Sequence, residues 1–108
     1  MLENEAKMGE ENYKGNNALH LASSGGFVKI CKDLVDQGID VNKRNEEGYT
    51  ALHYATQGSQ KEVCKYLLDK AEINIKDVVG NTALHIASKS GNKEICKEIL
   101  IQDVEVDV

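Results

Sequence analysis

Gly48-Tyr49-Thr50-Ala51-Leu52-His53-Tyr54-Ala55 decides how this chain folds, because the same grammar recurs on both sides of it. It matches Gly15-Asn16-Asn17-Ala18-Leu19-His20-Leu21-Ala22, 33 residues upstream, and Gly80-Asn81-Thr82-Ala83-Leu84-His85-Ile86-Ala87, 32 residues downstream. Self-similarity with such a period means an array of stacked units, none of which can bury its apolar face alone. The units run 12–44, 45–76 and 77–108. In the preceding segment, 1–11, Leu2, Ala6 and Met8 fall where the second unit has Leu68, Ala71 and Ile73. That segment reads equally well as the tail of an earlier unit and as a frayed terminus.

Each unit opens with a polar four-residue turn, Asn12-Tyr13-Lys14-Gly15, Asn45-Glu46-Glu47-Gly48 or Asp77-Val78-Val79-Gly80. Asn or Asp bonds the backbone of such a turn and glycine tolerates positive φ, so these turns project as fingers. Asn17, Thr50 and Thr82 then stand where an N-cap side chain satisfies the free amides of a helix. Short first helices follow over 18–25, 51–58 and 83–90, and bury Leu19 and Ala22, Leu52 and Ala55, Leu84 and Ala87 on one face. Gly25-Gly26, Gly58 and Gly91 end these helices and reverse the chain. Second helices follow over 28–35, 61–68 and 93–100, with apolar residues at i, i+1, i+4 and i+5 and Lys and Glu opposite.

Turn-Gly-x-Thr-Ala-Leu-His-x-Ala, then Gly-x-x-Glu-Ile/Val-Cys-Lys, then Gly38-Ile39-Asp40-Val41-Asn42, resembles the ankyrin repeat over residues 12–107. The resemblance implies an all-α fold, an ankyrin-type solenoid of stacked helix pairs joined by β-hairpin-like turns. It also implies a non-catalytic module that grips a protein partner with a concave surface of finger tips and first helices. Departures are local. Ala18, Ala51 and Ala83 replace the family's usual proline, and alanine is the best helix former. Ser59 stands at the position of Gly26 and Gly91, the second unit lacks a match for Gly38, and Asp103 occupies that position in the third.

Three histidines and three cysteines invite a metal or catalytic reading, and the register opposes it. His20, His53 and His85 are equivalent positions one stacking layer apart, about 8–10 Å, whereas ligands of one zinc lie about 2.0–2.3 Å from it. In ankyrin-like repeats this histidine resembles a structural hydrogen-bonding residue. Cys31, Cys64 and Cys96 share one position on the second helix, too far apart for a disulfide, and are expected as buried reduced thiols. With no nucleophile elbow, phosphate loop or carboxylate pair, catalytic, cofactor-binding and metal residues are expected to be none.

The net charge of -5 is spread as -3 over 1–11, +2 over 12–44, -1 over 45–76 and -3 over 77–108. No basic stripe exists, which argues against nucleic acid and an acidic membrane surface as partners. No apolar run reaches membrane-spanning length and no secretory leader is legible, so a cytoplasmic location is expected, with the nucleus as alternative.

Residues that differ between units are left for recognition. At the finger tips these are Tyr13, Lys14 and Asn16; Glu46, Glu47 and Tyr49; Val78, Val79 and Asn81. On the first helices they are Ser24, Gln57, Lys89 and Ser90, and at the finger roots Arg44 and Lys76. Aromatic anchors and arginine tend to dominate interface energies, which makes Tyr49 the expected hot spot, removable without harm to the fold. A second reading is a regulatory or spacer segment of a larger multidomain protein, an enzyme included. Apolar Ile101, Val104, Val106 and Val108 near the last unit's end raise a third, weak self-association through uncapped ends.

Overall fold

The computed structural model describes residues 11, 12 and 14–107, with side chains through Gln102. The readings placed on Leu2, Ala6, Met8 and Tyr13, and on the side chains of Val104, Val106 and Val108, lie outside the described residues. Among the described residues there are six helices and no strand. They are α1 (Ala18–Gly25), α2 (Val28–Asp36), α3 (Ala51–Gln57), α4 (Lys61–Leu68), α5 (Ala83–Ser90) and α6 (Lys93–Asp107). Each odd helix packs on its even successor, α1, α3 and α5 form an inner row, and α2, α4 and α6 an outer row. This is the expected solenoid of helix pairs.

The helices start where the capping residues stand. Asn17 Oδ1 accepts from the His20 amide at 3.1 Å, and the Thr50 and Thr82 hydroxyls accept from the His53 and His85 amides at 3.4 Å. They stop where the chain can turn left-handed, at Gly26 and Gly91 with φ of 80° and 73°. The middle unit uses Ser59 at the same position with φ 56°, so the expected glycine is replaced and the conformation kept. Holding a non-glycine residue there costs roughly 1 kcal/mol or more. Helix α3 correspondingly ends at Gln57, one residue short of the expected 58.

The outer helices end differently in each unit, following glycine. Gly38, at φ 101°, terminates the turn after α2. Without a matching glycine, α4 closes on its own carbonyl, Leu67, which accepts from the Lys70 and Ala71 amides at 2.9 and 2.7 Å. In the third unit Asp103 occupies the glycine position and α6 does not stop at 100 as expected but continues to Asp107. A residue without glycine's freedom leaves the αR path as the easy continuation.

The outer-helix stripe was expected to be buried throughout, and it is buried on two sides in the middle unit alone. Val63, Cys64, Leu67 and Leu68 are all buried there. In the first unit Cys31 is covered but Ile30 is 50% exposed; in the third, Ile95 and Ile99 are buried but Leu100 is 47% exposed and Cys96 only half-buried. Positions i and i+4 thus face the preceding unit, and i+1 and i+5 the following one. The stripe is two seams, and each terminal unit lacks a neighbour on one of them among the described residues.

Cysteine chemistry follows this asymmetry. Burial raises the thiol of Cys31, and pushes that of Cys64 up to about 11, against weaker opposing contacts from the Ser23 and Thr56 hydroxyls. Thiolate is the reactive form. Modification by an aromatic disulfide reagent in native buffer should therefore be fastest at Cys96 and slowest at Cys64, with all three rates converging in denaturant. Equal rates in native buffer would contradict the burial pattern.

Candidate binding surface

The three fingers are built from one hydrogen-bond pattern. The side-chain oxygen Oδ1 of Asn12 accepts from the amides of Lys14 and Asn16, that of Asn45 from Glu47 and Tyr49, and that of Asp77 from Val79 and Asn81, all at 2.8–3.1 Å. The backbone closes each turn, with Gly15, Gly48 and Gly80 donating to the Asn or Asp carbonyl at 2.8–3.0 Å. Backbone joins the fingers by one bond per junction: Glu46 N–H to the Lys14 carbonyl at 3.0 Å, and Val78 N–H to that of Glu47 at 2.9 Å. The fingers approach so closely that a Cβ on Gly48 would strike the Val78 nitrogen at 2.8 Å.

Histidine closes the cap of each inner helix, and the first two also reach a backbone carbonyl farther along the chain. Nδ1 of His20, His53 and His85 accepts from the amide of Asn17, Thr50 and Thr82 at 2.9, 2.9 and 3.0 Å. A ring nitrogen that accepts from an amide is unprotonated, so in the neutral ring Nε2 carries the proton. His20 Nε2 donates to the Lys43 carbonyl at 2.9 Å and His53 Nε2 to the Asn81 carbonyl at 3.1 Å. Both rings are buried with both nitrogens engaged, which leaves them no valence for a metal.

On this frame the variable positions divide. Val78 and Val79 are 67% and 79% exposed at the tip of the third finger. Glu46, Glu47, Gln57, Lys76, Lys89 and Ser90 are exposed, as are Lys14 and Ser24. The carbonyls of four of these also serve the scaffold: Lys14 toward Glu46, Glu47 toward Val78, Ser24 toward the Gln60 side chain, and Lys76 toward Arg44. Asn16 is buried, its side-chain oxygen accepting from Asn45 Nδ2 at 2.8 Å. Arg44 bridges two fingers, from Nε to the Gly48 carbonyl at 3.4 Å and from Nη2 to the Lys76 carbonyl at 2.9 Å. Half-buried Asn81 holds the turn through its amide and receives His53 at its carbonyl.

Tyr49 is not the loose anchor that sequence reasoning expected. Its ring stacks on His53 with centroids 5.3 Å apart and meets Tyr54 edge-on at 5.2 Å. Burial raises its hydroxyl pKa, and the nearby Asp77 and Glu47 charges add to the rise. Two exposed apolar residues were passed over, Leu21 at 55% and Phe27 at 57%. Leu21 sits at the unassigned position between His20 and Ala22, and only its equivalence to half-buried Tyr54 and buried Ile86 shows that a neighbour normally covers it.

Asp77 carries the one unpaired buried side-chain polar atom among the described residues. Its Oδ2 is buried without a hydrogen bond. The equivalent Nδ2 of Asn45 donates to Asn16 and to the Tyr54 hydroxyl, both at 2.8 Å, whereas the residues matching those two around Asp77 are Tyr49 and Ile86. Burial pulls the Asp77 carboxyl pKa upward, yet the Asn81 and Val79 amides outweigh it and hold the group below its ordinary value.

Two expectations follow for stability. Burial lowers the pKa of His20 and His53 more than the carbonyls at Nε2 raise it. The unfolded chain takes up these protons near pH 6.5 while the folded one resists, so their contribution is complete above about 6.5 and declines as pH falls toward the folded values. Asp77 acts lower, its contribution being lost only below about pH 4. The melting temperature should be flat from pH 8 to 7 and fall below 6.5, and His53→Gln should flatten that fall. An unchanged slope in this variant would remove His53 from the account. Tyr49→Ala should lower stability by about 1–3 kcal/mol in urea denaturation, because it strips the packing from His53 and Tyr54; a change under about 0.5 kcal/mol would return Tyr49 to the loose class.

A sequence profile described as ankyrin repeats (3 copies) matches residues 1–77 and 45–108. A comparison with curated proteins gave no match. Ankyrin repeats are generally protein-protein interaction modules and generally non-catalytic. No described helix is long and apolar enough to cross a membrane. The capped inner helices, the histidine joints and the profile match over the whole chain agree, and the chain belongs to the ankyrin repeat family.

Proposed function

We propose that this chain recognises a protein partner through the concave side formed by finger tips and inner helices. The observation that carries this reading is the Val78-Val79 pair, the two most exposed large apolar side chains described. They stand on a finger whose backbone is already fixed by Asp77 and by the bond to Glu47. A preformed apolar tip binds without paying for its own ordering. Exposed Glu46 and Glu47 beside it, and Gln57, Lys89 and Ser90 on the helices, supply a polar rim. Tyr13, Lys14, Asn16, Ser24, Arg44, Tyr49, Lys76 and Asn81 complete the proposed surface, several of them by holding its shape. The free thiols of Cys31, Cys64 and Cys96 suit a reducing compartment, and we place the protein in the cytoplasm.

The test is affinity capture from the native cell followed by titration of the captured partner. Val78→Ser combined with Val79→Ser should weaken binding at least about tenfold, or about 1.4 kcal/mol, while the melting temperature stays within a few degrees. If binding survives that change and is lost with Lys65→Glu and Lys97→Glu on the outer helices, recognition belongs to the convex side.

A further inference from the structure

Two neighbouring finger tips carry unlike chemistry at equivalent positions. Glu46 and Glu47 cap the second finger where Val78 and Val79 cap the third, and all four side chains are exposed. The exposure belongs to the position. Glu46 and Glu47 keep it although the third finger packs against the second, its Val78 N–H bonded to the Glu47 carbonyl at 2.9 Å. A finger stacked beside a tip therefore does not cover it. Both tips are also held in shape before anything binds, by Oδ1 of Asn45 and of Asp77.

The charge on the second tip is not spent within the protein. The ion pairs among the described residues, Lys43–Glu11 and Lys61–Glu94, include neither Glu46 nor Glu47. Arg44, the cation at the root of this finger, turns Nε and Nη2 to the carbonyls of Gly48 and Lys76 instead. Asp77 adds a carboxylate at the base of the valine finger, its Oδ2 buried without a hydrogen bond. Tyr49 lies within reach of both charges: burial raises its hydroxyl pKa, and Asp77 and then Glu47 raise it further. An acidic field beside an aliphatic pair repels phosphate, which disfavours nucleic acid and an anionic membrane here. It favours a cation that has apolar surface next to it.

We propose, on the concave-side reading given above, that the partner presents an extended segment in which a lysine or arginine meets Glu46 and Glu47 while a nearby aliphatic residue covers Val78 and Val79. Stacked layers lie about 8–10 Å apart. An extended chain rises about 3.3 Å per residue, so the cation and the aliphatic residue stand about two or three positions apart. The stem of lysine or arginine is itself apolar and can lie along the valines while its charge reaches the carboxylates.

Selection of a phage-displayed random peptide library on the immobilised full chain tests this, followed by titration of fluorescein-labelled synthetic copies of the enriched peptides. Enriched peptides should carry Lys or Arg within about two or three residues of Val, Ile or Leu. Replacing their basic residues by Glu should weaken binding to the wild type at least about tenfold. Glu46→Lys combined with Glu47→Lys, at exposed positions, should weaken the basic peptides to a similar extent and bind the charge-swapped ones more tightly than the wild type does. Should that variant fail to fold, the charge-swapped peptides decide the matter on the wild type alone. Enrichment of acidic or purely apolar peptides, or of none, would overturn the proposal. Peptides lost on Val78→Ser with Val79→Ser but indifferent to both charge swaps would overturn it and leave the concave-side reading standing. Peptides indifferent to the valine and the glutamate changes alike would count against both.

Discussion

The histidine at the third position of each inner helix is the joint on which the stack depends. Through Nδ1 it closes the cap of its own helix; through Nε2 His20 reaches the Lys43 carbonyl two residues before the second finger, and His53 crosses to the Asn81 carbonyl of the third unit. Local helix initiation and unit-to-unit stacking are therefore one network. A cap is typically worth about 1 kcal/mol, and a buried polar group left unpaired costs about 1–3 kcal/mol. Removing the ring would strand the cap amide and the finger carbonyl together. Because no such joint reaches past the adjacent unit, stability is passed between neighbours and no further, the behaviour of a one-dimensional array.

Much of this was legible from the sequence, since three copies in register report both the cap residue and the turn residue at every unit. The expected helix pairs, the Asn or Asp finger turns and the capping roles of Asn17, Thr50 and Thr82 all stand in the structure. Where reading stopped short, the cause lay in neighbours. Ile30 and Val63 are equivalent in the alignment of units, yet one is half exposed and the other fully covered. Burial in a stack is a property of a junction, and a junction needs two units. The run of α6 to Asp107 has a local cause instead, and the Asp103 departure marked its position without giving its outcome.

The surface was less legible than the fold because variation between units does not mean freedom from the scaffold. Asn16, Tyr49 and Asn81 are equivalent and all different in use. Asn16 bonds across to Asn45, Tyr49 packs on His53 and Tyr54, and Asn81 receives His53 at its backbone. Asn16 answers a side chain of the adjoining unit, Tyr49 packs within its own, and Asn81 lends only its backbone, so one position serves the scaffold in three ways. Val78 and Val79 differ from Glu46 and Glu47 without any such answer: their side chains point away from the stack and are the most exposed apolar groups described. Apolar residues that the scaffold does not use are the stronger sign of recognition.

Asn45 and Asp77 show how far one backbone skeleton tolerates different chemistry. Both hold their finger through Oδ1, and they differ in the atom left over. Nitrogen at Asn45 links the first two fingers through a buried bond to Asn16, and oxygen at Asp77 links nothing. The second junction is closed instead at its root, where Arg44 Nη2 reaches the Lys76 carbonyl at 2.9 Å. At the corresponding root of the first junction stands Glu11, which pairs with Lys43 at 3.0 Å in an exposed setting where an ion pair contributes little. Each junction thus has its own side-chain closure between fingers, a buried one at the tip in the first and an exposed one at the root in the second. The backbone bonds between fingers, common to both, fix the geometry, and the side chains need only supply one closure somewhere along the seam.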